Sequence, residues 1–271
     1  MKTKLPRDNA QLIATRKELF KVLLKEHFFK ICITSIYTFC FAVPLFGWLI
    51  FINSSGMMEL TSENYFGNTL FTIVPMFFGI LLFGIGVIGG LSYTKKLSLQ
   101  EGANVHMEFF SGIKKNFKQA LISFFVLGLF YCLLKLASNT LMFGVDIPAW
   151  SKGVINGLMY VIFFIVFMIN ALVITQSIIY VGTQRQYVSN AIKLLIGKGP
   201  LNLLIFFIVL LPFLCFEFIP FALAQWISIA VSAIFYFGFS FLIFSIYSNY
   251  LFDLSINRNY PELYRKGLRK D

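Results

Sequence analysis

The stretch at residues 94–118, TKKLSLQEGANVHMEFFSGIKKNFK, holds five lysines, and long uncharged stretches flank it on both sides. It is one of four basic gaps that alternate with gaps poor in Lys and Arg. Residues 1–30 carry eight Lys/Arg, 183–199 carry three and the tail from Leu251 carries five. The intervening gap at 53–65 carries none, 135–153 only Lys135 and Lys152, and around the fifth gap only Glu217 is charged. Of 23 Lys and Arg, 21 therefore fall on one side and two on the other. Short basic loops resist translocation, so the basic side, with both termini, is expected to be cytoplasmic.

The apolar stretches at 31–52, 66–93, 119–142, 154–180, 200–219 and 221–250 each supply the roughly 20 apolar residues that cross a hydrocarbon core of about 30 Å. The chain is 58% hydrophobic and 13% charged, against about 25% charged for a soluble domain. Its mean hydropathy is +0.78. The expected fold is all-α: a polytopic integral membrane protein of six transmembrane helices, with basic interfacial helices on the cytoplasmic side. Residues 1–30 read as an N-terminal amphipathic segment, 31–250 as the transmembrane domain and 251–271 as a basic tail. The first apolar stretch lacks a cleavage pattern behind it and is expected to remain as the first span. The net charge of +11 is read as an orientation signal and a contact to anionic lipid at the cytoplasmic face, not as a nucleic-acid footprint.

A basic amphipathic stretch precedes each outward span, at 10–28, 107–118 and 186–196. In the second, Met107, Phe110, Ile113 and Phe117 stand at helical spacing against Lys114, Lys115 and Lys118, a pattern that suits a helix in the inner headgroup layer. Phe110, Phe117 and the three lysines are the candidate contacts to lipid or a protein partner. The tail is expected to turn near 257–261 and fold back under the inner loops, with Glu262 as an ionic contact to those lysines; the alternative is a disordered basic end.

Chemistry-bearing motifs are sparse. There is no HExxH helix and no GxSxG elbow. His27 and His106 stand in basic segments, and the four cysteines, Cys32, Cys40, Cys132 and Cys215, form no CxxC pair. No catalytic, metal or cofactor site is assigned. Lys135 and Glu217 reach similar depths near the outer edge, where they are a candidate ion pair; the alternative is two exposed interfacial charges. Gly86 and Gly90 form a GxxxG that lets helices approach closely, in a dimer or within the bundle. Amides at Asn156, Asn170, Gln176, Asn202 and Gln225 are expected to join helices by hydrogen bonds.

The text LSYTKKLSLQEG followed by EFFSGIKKNFKQA, with Phe109, Phe110, Lys114, Asn116, Phe117, Lys118, Gln119 and Ala120 in pattern, resembles the YesL-like family of bacterial membrane proteins, a domain of unknown function numbered 624. Ile113 replaces an inner Phe of that pattern. The tail INRNYPELYRKGL resembles the ends of some members, through Asn257, Tyr260, Pro261, Glu262, Arg265 and Gly267. The resemblance implies a bacterial inner-membrane protein in a carbohydrate-uptake context and transfers no catalytic residue. The leading expectation is a non-catalytic accessory or assembly component with a transporter or cytoplasmic protein as partner. A small permease or substrate-binding membrane subunit, and a membrane enzyme, are the alternatives.

Overall fold

The computed structural model describes residues 13–54, 60–218, 222–260 and 262–269, with 53–54, 212–213, 215–218, 222 and 259 described by their backbone only. Every regular element among them is helical: α1 (Arg16–Ser54), α2 (Tyr65–Ser98), α3 (Val105–Asn139), α4 (Ala149–Ile179), α5 (Gln184–Gly197), α6 (Gly199–Phe218), α7 (Ala222–Val231) and α8 (Phe237–Leu254). A π-helical turn at Thr140–Gly144 extends α3, and another at Ser232–Tyr236 joins α7 to α8. Five helical runs are long and apolar enough to cross a membrane, and α5 with α6, bent by 108° at their junction, would make a sixth. Helices suit this composition because they satisfy every backbone donor and acceptor within the segment, which lipid cannot do.

The three basic amphipathic stretches form helices, the first from Arg16 onward, and each breaks from the apolar run behind it. α1 breaks at His27 (φ −121°, ψ 18°) and α3 at Asn116 (φ −114°, ψ 15°). α5 separates from α6 at Lys198 (φ −141°, ψ 41°). α3 starts on an Asn104 cap that accepts from Met107 N, and α5 on a capping box between Thr183 and Gln186. These caps satisfy the first free amides of each helix, so the stretches start where their sequences direct.

α2 and α8 form the centre. Residues 86–95 of α2 are buried without interruption, as is most of α8. Gly86 and Gly90 face Thr38 and Phe41 of α1 and Phe241 of α8, so the GxxxG seam lies inside this chain's own bundle. At Gly238 the approach is closer still, since a Cβ there would stand 2.1 Å from the Ile31 carbonyl oxygen of α1. The α2 helix continues past residue 93, the expected end of the span, to Ser98, because α1, α3 and α8 cover its last turns. Lys95 and Lys96 are therefore helical residues and not part of a loop.

Amides do join helices. Gln176 of α4 donates to Tyr187 O of α5 at 3.2 Å, and Asn202 of α6 donates to Leu195 O of α5 at 2.8 Å. Tyr247 of α8 donates to Asn202 Oδ1 at 2.6 Å.

A charged cavity around a buried lysine, the candidate functional site

Lys95 is only 1% exposed. It leaves α2 one turn before the helix ends and points at α8, where the sequence SIYSN places Ser245, Ser248 and Asn249 on one helical face. Its ammonium group donates to Ser248 Oγ, to Asn249 Oδ1 at 2.9 Å and to Ser245 O at 3.4 Å. A lysine has three N–H donors, and all three are used. The group also stands 4.8 Å from the centre of the Phe252 ring, a cation–π distance. Around it, Thr94 and Ser245 share a hydrogen bond of 2.8 Å, and Asn249 Nδ2 donates to Ser98 Oγ at 2.8 Å. This polar contact between α2 and α8 is buried throughout.

Beside it, Asp253 in the last turn of α8 pairs with Arg16 at the start of α1. The other Asp253 oxygen accepts from Asn257 Nδ2 at 2.8 Å and from Arg265 N at 3.2 Å. Tyr180, just past α4, donates to Asn257 Oδ1 at 2.6 Å. Burial, then the neighbouring Asp253 charge, holds the Tyr180 phenol above its ordinary range, so it stays a donor.

Of these groups, Arg16, Lys95, Tyr180, Asn249, Asp253 and Asn257 help to wall a cavity of about 240 Å³ at the basic end of the bundle, between α1, α2, α3, the end of α4, α8 and the tail. Arg16, Lys95, Lys96, Lys115 and Lys266 line it, with Glu101, Glu108 and Asp253. Each carboxylate has a base: Asp253 has Arg16, Glu108 has Lys96 at 2.6 Å and Glu101 has Lys266 at 2.8 Å.

A second cavity, of about 430 Å³, lies next along the same helices. α2 gives Leu91 to it and Ser92 to the charged one; α4 gives Ile174 and Ile178; α8 gives Phe244 and Asn249. Its wall is almost wholly apolar, with Phe83, Phe124, Phe163, Phe164, Phe167, Phe237 and Phe241 beside Phe244, and Asn170 and Ser240 among its few polar groups.

The sequence-predicted residues divide accordingly. Lys114, Lys115 and Lys118 are all exposed, but only Lys115 faces the charged cavity. Phe110 and Phe117 are 45% and 44% exposed. The residue that anchors the start of α3 is Phe109, which is fully buried against Gly89 and 5.4 Å from the Tyr37 ring. The stripe buried in the bundle is Val105, Phe109 and Gly112, and Phe110 and Phe117 lie beside it on the exposed side. Lys135 stands 5.9 Å from the Tyr131 ring centre, and the side chain of Glu217 lies outside the described residues.

The tail does fold back. Leu268 is buried among Leu19, Leu23, Leu97 and Val105, and Gln100 donates to Gly267 O at 2.8 Å. Lys266 of the tail pairs with Glu101; Glu262, expected to meet the α3 lysines, is exposed. Gly267 has a positive φ (80°) that favours glycine, and its lack of a side chain lets the chain pass against Leu99, where a Cβ would stand 2.7 Å from the carbonyl carbon.

Lys95 and its α8 acceptors are the residues that the basic-gap reading missed. The signal present was the run Ser245, Ser248, Asn249 at helical spacing in an otherwise apolar span. No protein-family model, curated protein or solved structure matches the chain.

Proposed function

We propose that the protein is a non-catalytic accessory or assembly component of a bacterial cell membrane, with six spans and both termini cytoplasmic, linked to carbohydrate uptake. The observation that carries this reading is the placement of polarity. Charged and hydrogen-bonding side chains concentrate around the cavity at the basic end, and next to it the interior becomes a phenylalanine-lined space. A carrier of polar solutes needs polar groups along its route near the bilayer midplane. A component that binds or docks at one face does not.

The docking face is the basic end itself. Three basic amphipathic helices enter their spans there, and Lys114 and Lys118 point away from the cavity into the surroundings. Anionic lipid headgroups and an acidic surface on a transporter or cytoplasmic protein suit that charge. The YesL-like resemblance supplies the uptake context.

The test deletes the gene in its host and measures uptake of labelled sugars, with the purified chain alone in proteoliposomes as the second arm. The expected result is reduced uptake in cells, restored by re-expression, and no sugar flux through the chain alone. Flux through the chain alone, or unchanged uptake of every sugar in cells, overturns the proposal. A reporter after Asp271 should be cytoplasmic and one near Glu59 external; the reverse overturns the topology.

A further inference from the structure

Two lysines in the charged cavity are left over once its carboxylates are paired. Lys115 makes no hydrogen bond or ion pair among the described residues. Lys95 bonds only to neutral acceptors of α8. Arg16 adds an unspent donor, because its pair with Asp253 uses Nη2 while Nη1 is buried without a partner. The cavity thus carries five basic groups against three acidic ones, and each acid already has its base.

We propose that this cavity is a binding site for a phosphate group, held by Lys115 and Arg16 as donors. Lys115 comes from α3 and Arg16 from α1, so a bound group with several oxygens can meet both at once. A guanidinium and an ammonium are the side chains suited to that task, one as a planar donor and one as a point charge. Lys95 cannot turn toward the group without giving up its α8 acceptors, so it belongs to the cavity wall and is not a donor to the ligand. The cavity, at about 240 Å³, has room for a phosphate and its adjoining atoms. The ligand is either free phosphate or the phosphomonoester headgroup of a lipid entering from the cytoplasmic leaflet. This inference rests on the cavity alone and holds independently of the link to uptake.

The experiment uses the full chain in phosphatidylcholine nanodiscs at fixed chloride. Inorganic phosphate is titrated in one arm, and phosphatidic acid replaces part of the phosphatidylcholine in the other. Stabilisation is read as a saturable shift in thermal unfolding. Saturation with inorganic phosphate assigns a free anion, and saturation in the lipid arm alone assigns a headgroup; both support the site. Lys115→Gln should weaken the effect about tenfold or more, which corresponds to about 1.4 kcal/mol, and Lys115→Arg should restore most of it. Lys118→Gln, on the same helix but outside the cavity, should leave it unchanged. No saturable shift in either arm, or equal losses in Lys115→Gln and Lys118→Gln, overturns the proposal.

Discussion

Arg16 at the start of α1 and Asp253 in the last turn of α8 form an ion pair across 237 positions of sequence. Asp253 is the junction of three segments, because its second oxygen holds Asn257 and the Arg265 amide. Replacing it with Asn leaves Arg16, 13% exposed, without its counter-charge. The expected cost is about 3 kcal/mol. It should be read as a lower unfolding midpoint in detergent, with faster amide exchange at 13–20 and 257–269.

Lys95→Met keeps the apolar stem and removes three donors. Asn249 Oδ1 then loses its α2 partner inside a buried contact. A destabilisation of about 1–3 kcal/mol is expected. A midpoint equal to that of the unmodified chain would show that the lysine contributes nothing to holding α2 on α8.

Glycines give a paired test. A Cβ at Gly238 would meet the Ile31 backbone oxygen at 2.1 Å, whereas one at Gly157 meets nothing within 4 Å. Gly238→Ala must push α8 away from α1 and should cost about 1–3 kcal/mol or more. Gly157→Ala in the exposed middle of α4 should stabilise by up to about 1 kcal/mol, by helix propensity alone. Unfolding midpoints of the two variants should move in opposite directions.

Leu268 tests the tail. Its side chain is 5% exposed and packs with Leu19 and Leu97. Leu268→Ala should cost about 2 kcal/mol or more and release amide protection across 262–269. Glu262→Lys should change neither, because Glu262 is exposed and Lys266 makes the ionic contact.

Tyr180 carries a pH signature. Its phenol is held above its ordinary value by burial, so the folded state keeps the proton that the unfolded chain loses near pH 10. The stability this contributes is complete below that pH and is lost as pH rises through it toward the folded value. The difference in unfolding midpoint between the unmodified chain and Tyr180→Phe should be constant from pH 7 to 9 and shrink above about pH 10.

The apolar helices and the basic helical stretches that precede three of them were legible because hydropathy and charge act over many residues at once. The burial of Phe109 at the start of α3 was not. Phe109 and Phe110 are alike as residues, and only Gly89 on another helix decides which is buried. Lys95 was hidden for a related reason. In a row of lysines it counts as one more interfacial charge, and its burial depends on acceptors at Ser245, Ser248 and Asn249, about 150 positions later. Pairing across such distances leaves no periodic trace, although three polar residues on one face of an apolar span are a local sign of it.

The contact between the two ends of the described chain has a bearing on biosynthesis. Arg269 N donates to Ile13 O at 3.0 Å, and Arg265 reaches Ala14 O at 3.3 Å. A polypeptide is inserted into the bilayer in order, so α1 is in place long before residues 253–269 emerge from the ribosome. Until then Arg16, Leu19 and Leu23 lack the neighbours that later cover them. The nascent bundle must therefore wait with this end unfinished, and a ribosome stalled within α8 should leave a chain with its earlier apolar helices in place and that end open to protease.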